Sequence, residues 1–495
     1  MYKKKLPKCL QDIEIQNPVL NSTQIIPGCA FVAVKGSKID GRSFIKDACK
    51  KGASLIIYQK NTAWNNKIKQ TSNQYAGVTF IPLENNPRDY LVSLANKAYP
   101  SLPKNIIAIT GTNGKTSTAS FAYQILKIFS IPTAYLGTNG FETSSPIKKY
   151  KNPIPSLTTP DIFSLYKILS FCKKEKIDHV FIEASSHGLY QGRLDGLYFS
   201  AGCFTNLSPE HLDFHKNENA YFEAKKLLFT KHMLPKSVAV INTDDPLSDN
   251  LIKTCLSKNI TVKTFGKNKK NTVFINSCTA SSNGLSISFI HDATRYSIKT
   301  CFFGSFQAWN LAGALLLATS VSYVPFKDAI KKIPSLCTPT GRMDFLGTTP
   351  NGATVFVDFA HTPDALEKAL SSLQAHTKNN LWVVFGCGGD RDAQKRPLMG
   401  KVSQRLANIS IITDDNPRTE EPDAIREAIA DSCEGAIIIE DRGQAIQYAL
   451  THAQRGDSIL IAGKGHETGQ IIGTKKIPYS DHSTVKKVLE SLAHA

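Results

Sequence analysis

The chain has no run of about 18 consecutive apolar residues, so no helix is expected to cross a membrane. Its start, Met1-Tyr2-Lys3-Lys4-Lys5-Leu6-Pro7, is basic but is not followed by the apolar stretch of a secretory signal. Eleven cysteines include no Cys-x-x-Cys pair, and several lie in apolar contexts such as Gly202-Cys203-Phe204 and Thr300-Cys301-Phe302. That odd, scattered set argues against a disulfide framework or a zinc site, and for reduced thiols in a cytoplasmic protein. Also missing are the His-Glu-x-x-His zinc pattern, a full Gly-x-Gly-x-x-Gly dinucleotide fingerprint, an RNP-like aromatic motif, internal repeats and low-complexity tracts.

Core material, by contrast, is ample: 495 residues, 41% hydrophobic and 20% charged. That length exceeds one core and predicts about three domains. The net charge of +18 comes from dispersed lysines, with short clusters at Lys3–Lys5, Lys148-Lys149-Tyr150-Lys151 and Lys267-Asn268-Lys269-Lys270. With no arginine stripe or interleaved aromatics, it reads as a solvated surface that attracts anionic metabolites, with no nucleic-acid partner and no membrane.

The most informative stretch runs from Asn105 to Thr118. An apolar β-type segment enters Gly111-Thr112-Asn113-Gly114-Lys115-Thr116, and Phe121, Ile125, Ile128 and Phe129 then repeat at helical spacing. Strand, glycine turn, Lys-Thr and helix make a phosphate cradle. Glycines let amides approach an anion, the helix start adds positive potential, the lysine reaches terminal phosphates and the threonine can ligate Mg²⁺. The common Gly-x-x-x-x-Gly-Lys-Thr loop would need glycine where Ile109 stands, so this turn is two residues tighter. A chance Gly/Asn turn before a lysine is the bland alternative; the flanking strand and helix favour an ATP site.

Ahead of this loop, Ala30–Val34, a helix after Asp40-Gly41-Arg42, and Ala53–Tyr58 form a small α/β unit, and Pro100-Ser101-Leu102-Pro103 is the linker. Beyond the loop, His179–Glu183, Gly202–Asn206 and Val238–Asn242 read as strands with polar carboxyl ends, where ligands of parallel sheets bind. Glu183, His211 and Asp244 fall there. Residues 260–303 look like a less regular β-rich insertion, and a buried helix starts near Trp309. After Pro339-Thr340-Gly341-Arg342, strands at Thr354–Asp358, Leu381–Gly386, Ile409–Thr413 and Ser458–Gly463, with a further one at Ala436–Glu440, predict a second, Rossmann-type parallel sheet.

Thr116 and Glu183 suit Mg²⁺, which prefers oxygen ligands; His211 is a less usual ligand and could be a structural hydrogen bonder. His211 and His215 at i,i+4 raise zinc as an alternative. Lys225 lies beside the helical stripe Tyr221, Ala224 and Leu228, where a lysine ordinarily snorkels. Asp358-Phe359-Ala360-His361-Thr362-Pro363-Asp364 ends a strand and opens a helix. In Asp415-Asn416-Pro417-Arg418, a carboxylate and a guanidinium three apart could recognise a zwitterion, or could be an Asx–Pro turn with a salt bridge.

Together these blocks resemble the Mur ligase superfamily: Thr110–Thr116, Glu183-Ala184-Ser185-Ser186-His187, Thr205-Asn206-Leu207 to His215, Gly341-Arg342-Met343-Asp344 and Asp358 to Asp364. Asp415–Arg418 and Gly463-Lys464-Gly465-His466-Glu467 narrow the resemblance to the UDP-N-acetylmuramoyl-tripeptide synthetase branch, over nearly the whole chain. The resemblance implies an α/β fold of three domains: 1–102 for the UDP moiety, 103–338 as the central ATPase and 339–495, Rossmann-like, for the incoming amino acid. It implies ATP contacts at Gly111, Thr112, Asn113, Gly114, Lys115, Thr116, Ser117, Asn310, Arg342, Asp358 and His361. Leu20, Ser22, Ser37 (in the Ser37–Ile39 loop), Thr158, Thr159, Ser185, Gln191 and Arg193 would bind UDP-N-acetylmuramoyl-L-alanyl-D-glutamate. Arg391, Asp415, Asn416, Pro417, Arg418, Gly463 and Glu467 would bind meso-diaminopimelate, with Arg418 on the distal carboxylate.

Lys225 matches a lysine carbamylated by CO₂, which would join Thr116, Glu183 and His211 around Mg²⁺; Lys115, Lys225, His211 and Glu183 would be catalytic. Asn21 and Thr23 depart from the Asp-Ser-Arg pattern often found at the uridine end, and Asp344 replaces a common glutamate. The implied protein is a cytoplasmic, monomeric, ATP-dependent amide ligase of peptidoglycan precursor synthesis, serving cell wall, shape and division. Alternatives are L-lysine addition at the same step, folylpolyglutamate synthesis, and a nucleic-acid-stimulated P-loop ATPase.

Overall fold

The computed structural model describes residues 4–36, 39–144, 150 and 157–494, without the side chains of 212, 213 and 494. Three parallel-rich sheets follow one another along the chain. The first holds Ala30–Ala33, Leu55–Gln59 and Thr79–Leu83, all parallel. Its third strand, and the helix Thr62–Gln74 before it, were not legible in advance. That strand is half-exposed and carries Pro82, so it lacks the apolar run of its neighbours.

In the ten-stranded central sheet, Asn105–Thr110 lies between His179–Glu183 and Phe199–Phe204, parallel to both. Thr133–Gly137 and the antiparallel Gly140–Thr143 complete one side. Met233–Asn242 and Thr261–Gly266 continue the parallel order on the other. The segment expected to be irregular is a regular meander, Val273–Ser281, Gly284–His291 and Thr294–Thr300, which extends the same sheet. One face of these strands is wet, so serine, threonine and lysine alternate with apolar residues and weaken the strand signal. Helices Lys115–Ile128 and Gln307–Val321 share a core in which Phe121, Ala122 and Ile125 meet Leu311 and Leu315.

The third sheet runs Asp344–Thr348, Thr354–Asp358, Ser458–Ala462, Leu381–Phe385, Ile409–Ile412 and Ile437–Ile438, parallel except for its antiparallel first strand. A hairpin, Gly469–Ile472 with Lys475–Pro478, stands beside it. Phe303, from the chain leaving the central sheet, is buried in this third core, its ring 4.6 Å from that of Phe356. His376 reaches back: Nε2 accepts from the Gly304 amide at 3.1 Å, and Nδ1 faces the Ser281 carbonyl at 2.6 Å. These contacts join the third sheet to the central one.

Candidate active site

Gly111 has φ +146°, and a Cβ there would fall 1.9 Å from Thr205 Oγ1. Gly114 (φ +82°) begins the helix, and a Cβ there would meet Asn310 Oδ1 at 2.4 Å. The loop is thus drawn in closer than any side chain allows. Thr205 and Asn206 hold it: the Asn206 carbonyl accepts from Thr112 N (2.8 Å), its Oδ1 accepts from Asn113 N (3.0 Å), and Thr205 Oγ1 donates to the Asn113 carbonyl (2.6 Å). Thr116 and Ser117 are buried in the first helical turn. Arg342 crosses from the third domain, stacked 4.8 Å over Phe359, with a guanidinium nitrogen 3.5 Å from Thr116 Oγ1.

Lys115 and Lys225 meet on one oxygen. The Gly111 carbonyl accepts from Lys115 Nζ at 3.0 Å and from Lys225 Nζ at 2.7 Å. Lys225, which the pattern alone leaves snorkelling, is only 2% exposed and lies 4.3 Å from the Tyr221 ring centre. Burial, aided by the Lys115 ammonium, pushes its pKa well below the ordinary lysine value. Lys115 is also lowered, chiefly by burial.

Glu183 is fully buried and accepts four hydrogen bonds. Oε1 takes Tyr135 OH (2.5 Å) and Thr138 N (2.9 Å); Oε2 takes Thr116 Oγ1 and Thr138 Oγ1, both at 3.0 Å. Gly137 makes the room, since a Cβ there would meet Oε1 at 2.1 Å. Tyr135 and Thr138 escaped the sequence reading because no spacing ties them to Glu183; strand pairing does. His211 (φ +57°) stands at the loop's outer side, edge-on to His187 at 4.7 Å and to Tyr221 at 6.2 Å. Among the described residues no three His, Cys, Asp or Glu side chains converge to hold a metal. The paired Thr116 hydroxyl and Glu183 carboxylate are the oxygen donors that Mg²⁺ prefers, and so fit such an ion.

From Glu183 the network continues outward. Thr138 Oγ1 meets Thr158 Oγ1 at 3.1 Å; Thr159 Oγ1 donates to the Glu183 carbonyl (2.8 Å) and lies 3.0 Å from Ser185 Oγ. Arg193 donates to the Thr159 carbonyl (2.8 Å) and to Gln191 Oε1 (2.7 Å). Five of the eight residues expected to bind the dipeptide nucleotide, Thr158, Thr159, Ser185, Gln191 and Arg193, therefore form one connected patch. Leu20 and Ser22, with Asn21, Val34, Gly36, Ile39, Gly41 and Phe44, line a separate cavity of about 230 Å³ in the first domain. Asn21 uses its side chain to accept from Thr23 N. Ser37 lies outside the described residues.

Two residues expected to contact ATP also hold backbone groups. Asp358 accepts from Met343 N (2.6 Å) and Ala360 N (2.9 Å), and burial raises its pKa against the pull of Arg342. His361 Nδ1 lies 2.7 Å from the Phe359 carbonyl. Asn310 donates to Gln307 Oε1 at 2.9 Å, with its Oδ1 toward Gly114. Asp244 accepts from Trp309 Nε1 at 2.7 Å and is thereby tied to the helix rather than to the loop.

In the third domain Asp415, Asn416, Pro417, Arg418, Gly463 and Glu467 come together. Arg418 (φ +52°) donates to the Gly389 carbonyl at 2.7 Å, Asn416 Nδ2 donates to Asp415 Oδ1 at 2.7 Å, and a Cβ on Gly463 would fall 2.6 Å from Asp415 Oδ2. Arg391 is exposed at the rim, its Cγ near Gly388. Lys464, fully buried beneath them, was missed because a lysine between glycines gives no periodic signal. Asp364 was quoted only as part of a motif; its carboxylate takes Asn113 Nδ2 (3.3 Å) and Ser208 Oγ (3.1 Å), linking the third domain to the loop.

A phosphate loop at the carboxyl edge of a parallel sheet, faced by a second nucleotide-type sheet, defines a nucleotide-binding α/β protein of several domains. Family models match end to end: the Mur ligase family catalytic domain over 14–99, the Mur ligase middle domain over 109–318, and the Mur ligase glutamate ligase domain over 341–465. The chain belongs to the Mur ligase family. It is 39% identical over 482 residues to the UDP-N-acetylmuramoyl-L-alanyl-D-glutamate–2,6-diaminopimelate ligase of Agrobacterium fabrum, covering 97% of this chain and 94% of that one. To the same-named ligase of Rickettsia typhi it is 38% identical, with 99% and 96% covered. A solved structure of a ligase of that name aligns with TM-score 0.65 at 30% identity, over 97% of this chain and 95% of the other. MurF ligase from Thermotoga maritima, solved with ADP, shares the fold at TM-score 0.63 and 18% identity, over 98% and 99%.

Proposed function

We propose that this protein is the ATP-dependent amide ligase that adds meso-2,6-diaminopimelate to UDP-N-acetylmuramoyl-L-alanyl-D-glutamate. The observation that supports it best is the unbroken polar path from the phosphate loop, through Thr116, Glu183 and Thr138, to Thr158, Thr159, Ser185 and Arg193. A carboxylate bound at that patch lies beside the γ-phosphate of ATP held in the loop. Residues 1–102 are assigned to the UDP moiety, 103–338 to ATP and 339–495 to the amino acid.

The substrate's D-glutamate carboxylate attacks the γ-phosphorus, the bond to the β-bridging oxygen breaks, and acyl phosphate and ADP form. An amine of diaminopimelate then attacks the acyl carbon, loses a proton, and expels phosphate from the tetrahedral intermediate. Little covalent work falls to the protein, which positions groups and offsets charge. Lys115 and Arg342 offset charge on the transferring phosphoryl group. Burial lowers the pKa of Lys225 and so favours its neutral amine, the form that adds to CO₂ and loses a proton to give a carbamate. Thr116, Glu183, His211 and that carbamate would hold Mg²⁺, which supplies Lewis-acid polarisation of phosphate oxygens. Arg418 would fork onto the distal carboxylate, a group L-lysine lacks. One chain carries every site, so a monomer suffices, in the cytoplasm where these substrates are made.

Purified protein should release phosphate only when ATP, Mg²⁺, the dipeptide nucleotide and meso-diaminopimelate are all present. Folded protein that stays silent refutes the reading. Arg418→Ala should weaken diaminopimelate selectively; equal losses with L-lysine would remove Arg418 from that role.

A further inference from the structure

Lys464 is fully buried, and the three protons of its ammonium find three acceptors, one on the Asn416 turn and two on the stretch just after the lysine itself. They are Asn416 Oδ1 at 3.1 Å, the Gly469 carbonyl at 3.1 Å and Glu467 Oε2 at 3.4 Å; Asp415 Oδ1 is 3.7 Å away. Gly463 (φ +116°) and Gly465 (φ +52°) flank it, and these backbone turns send the lysine inward.

The Asn416 amide is saturated. Its Oδ1 accepts from Lys464 Nζ and from Ile471 N (2.9 Å), while its Nδ2 donates to Asp415 Oδ1 (2.7 Å) and Glu467 Oε2 (3.2 Å). Neither an amide flip nor a rotation keeps these four bonds. The Asn416 carbonyl in turn accepts from Gly389 N (2.9 Å), and the Gly389 carbonyl receives Arg418 (2.7 Å). One buried cation thus fixes, through Asn416, both a carboxylate and a guanidinium of the pocket.

We propose that Lys464 is a positioning residue that sets amino-acid specificity: by tying down Asn416 and Glu467 Oε2, it presents Glu467 Oε1 and Arg418 at a fixed separation to the ammonium and carboxylate ends of the acceptor. Lys464 also offsets two neighbouring carboxylates, Asp415 and Glu467, which would otherwise crowd one amide. The proposal rests on the amino-acid reading of this pocket.

The test uses full-length K464M, which keeps the side chain's length without its charge. Two steps are measured apart. Positional isotope exchange in ATP, with Mg²⁺ and the dipeptide nucleotide but no amino acid, reads acyl-phosphate formation; steady-state kinetics with meso-diaminopimelate and with L-lysine read the acceptor step. K464M should raise the KM for meso-diaminopimelate at least about 30-fold, as expected when one partner of a buried charge cluster is removed. It should narrow the preference over L-lysine and leave isotope exchange within about twofold of wild type. A KM within threefold of wild type, or exchange and acceptor steps falling together, overturns the proposal. If K464M does not melt cooperatively, K464R supplies the same comparison, since a guanidinium at this site displaces Asn416. A wild-type enzyme inactive with meso-diaminopimelate refutes the pocket's reading instead.

Discussion

Lys225 and Lys115 share one carbonyl oxygen, and burial lowers the pKa of both, further for the enclosed Lys225, where the Lys115 ammonium adds to the effect. Lys225→Ala should lower phosphate release at least about 100-fold, and ¹³C-bicarbonate should give a carbamate NMR signal in wild type that the variant lacks. Glu183→Gln places an amide nitrogen among four donors; it should cost about 2–3 kcal/mol in stability by chemical denaturation and abolish turnover. His232 offers a test remote from the site. Burial lowers its pKa from 6.5 to about 4, with Nδ1 against the Leu197 carbonyl. The native state then binds fewer protons than the unfolded chain between those values, so stability falls as pH drops through that window. His232→Gln should remove up to about 3 kcal/mol of this pH dependence, read from denaturation midpoints at pH 7 and pH 4.5.

At the level of elements, the loop depends on its neighbours as much as on its glycines. The strand–turn–helix order was legible because an apolar strand, two glycines and a helical repeat lie consecutively in the chain. Tyr135, Thr138 and Thr205 were not legible, since each reaches the loop or Glu183 only through the pairing of strands far apart in sequence. Gly111→Ala combines a strained φ with a Cβ 1.9 Å from Thr205 Oγ1, and should cost about 3 kcal/mol and eliminate ATP-dependent turnover. An unchanged melting temperature would show that the Thr205 strand yields. The meander at 273–300 makes the complementary point: its polar alternation read as irregular, whereas hydrogen bonding to Thr261–Gly266 gives it register.

Across the whole molecule, the third domain is joined to the second on two sides. Phe303 and His376 form a packed joint behind the sheets, and Asp364 reaches Asn113 and Ser208 at the loop. Asp364 also pairs with Lys368 at 2.7 Å on its own helix, which keeps the carboxylate oriented. Asp364→Ala and Asn113→Ala should each weaken ATP-dependent turnover about tenfold, and the double variant by less than the product, since both break one contact. Full additivity would show that the two residues act separately. Small-angle scattering of the Asp364→Ala protein should show a larger radius of gyration than wild type.

By itself, the sequence determined the βα rhythm, the tight phosphate loop and the candidate residues of the amino-acid pocket, because each is carried by residues close together in the chain. Only the tertiary structure decided what those residues touch. It turned Lys225 from a surface-seeking side chain into a buried amine on the loop, since its helix packs against that loop. Asp358 meets the Met343 amide because the chain that crosses from the second domain runs past its strand end, and His361 sits against the Phe359 carbonyl. Beneath Asn416 and Glu467 the fold placed Lys464, a residue whose flanking glycines gave no hint of direction until φ was known. Burial and hydrogen-bond partners belong to contacts between distant segments, and no local spacing encodes them.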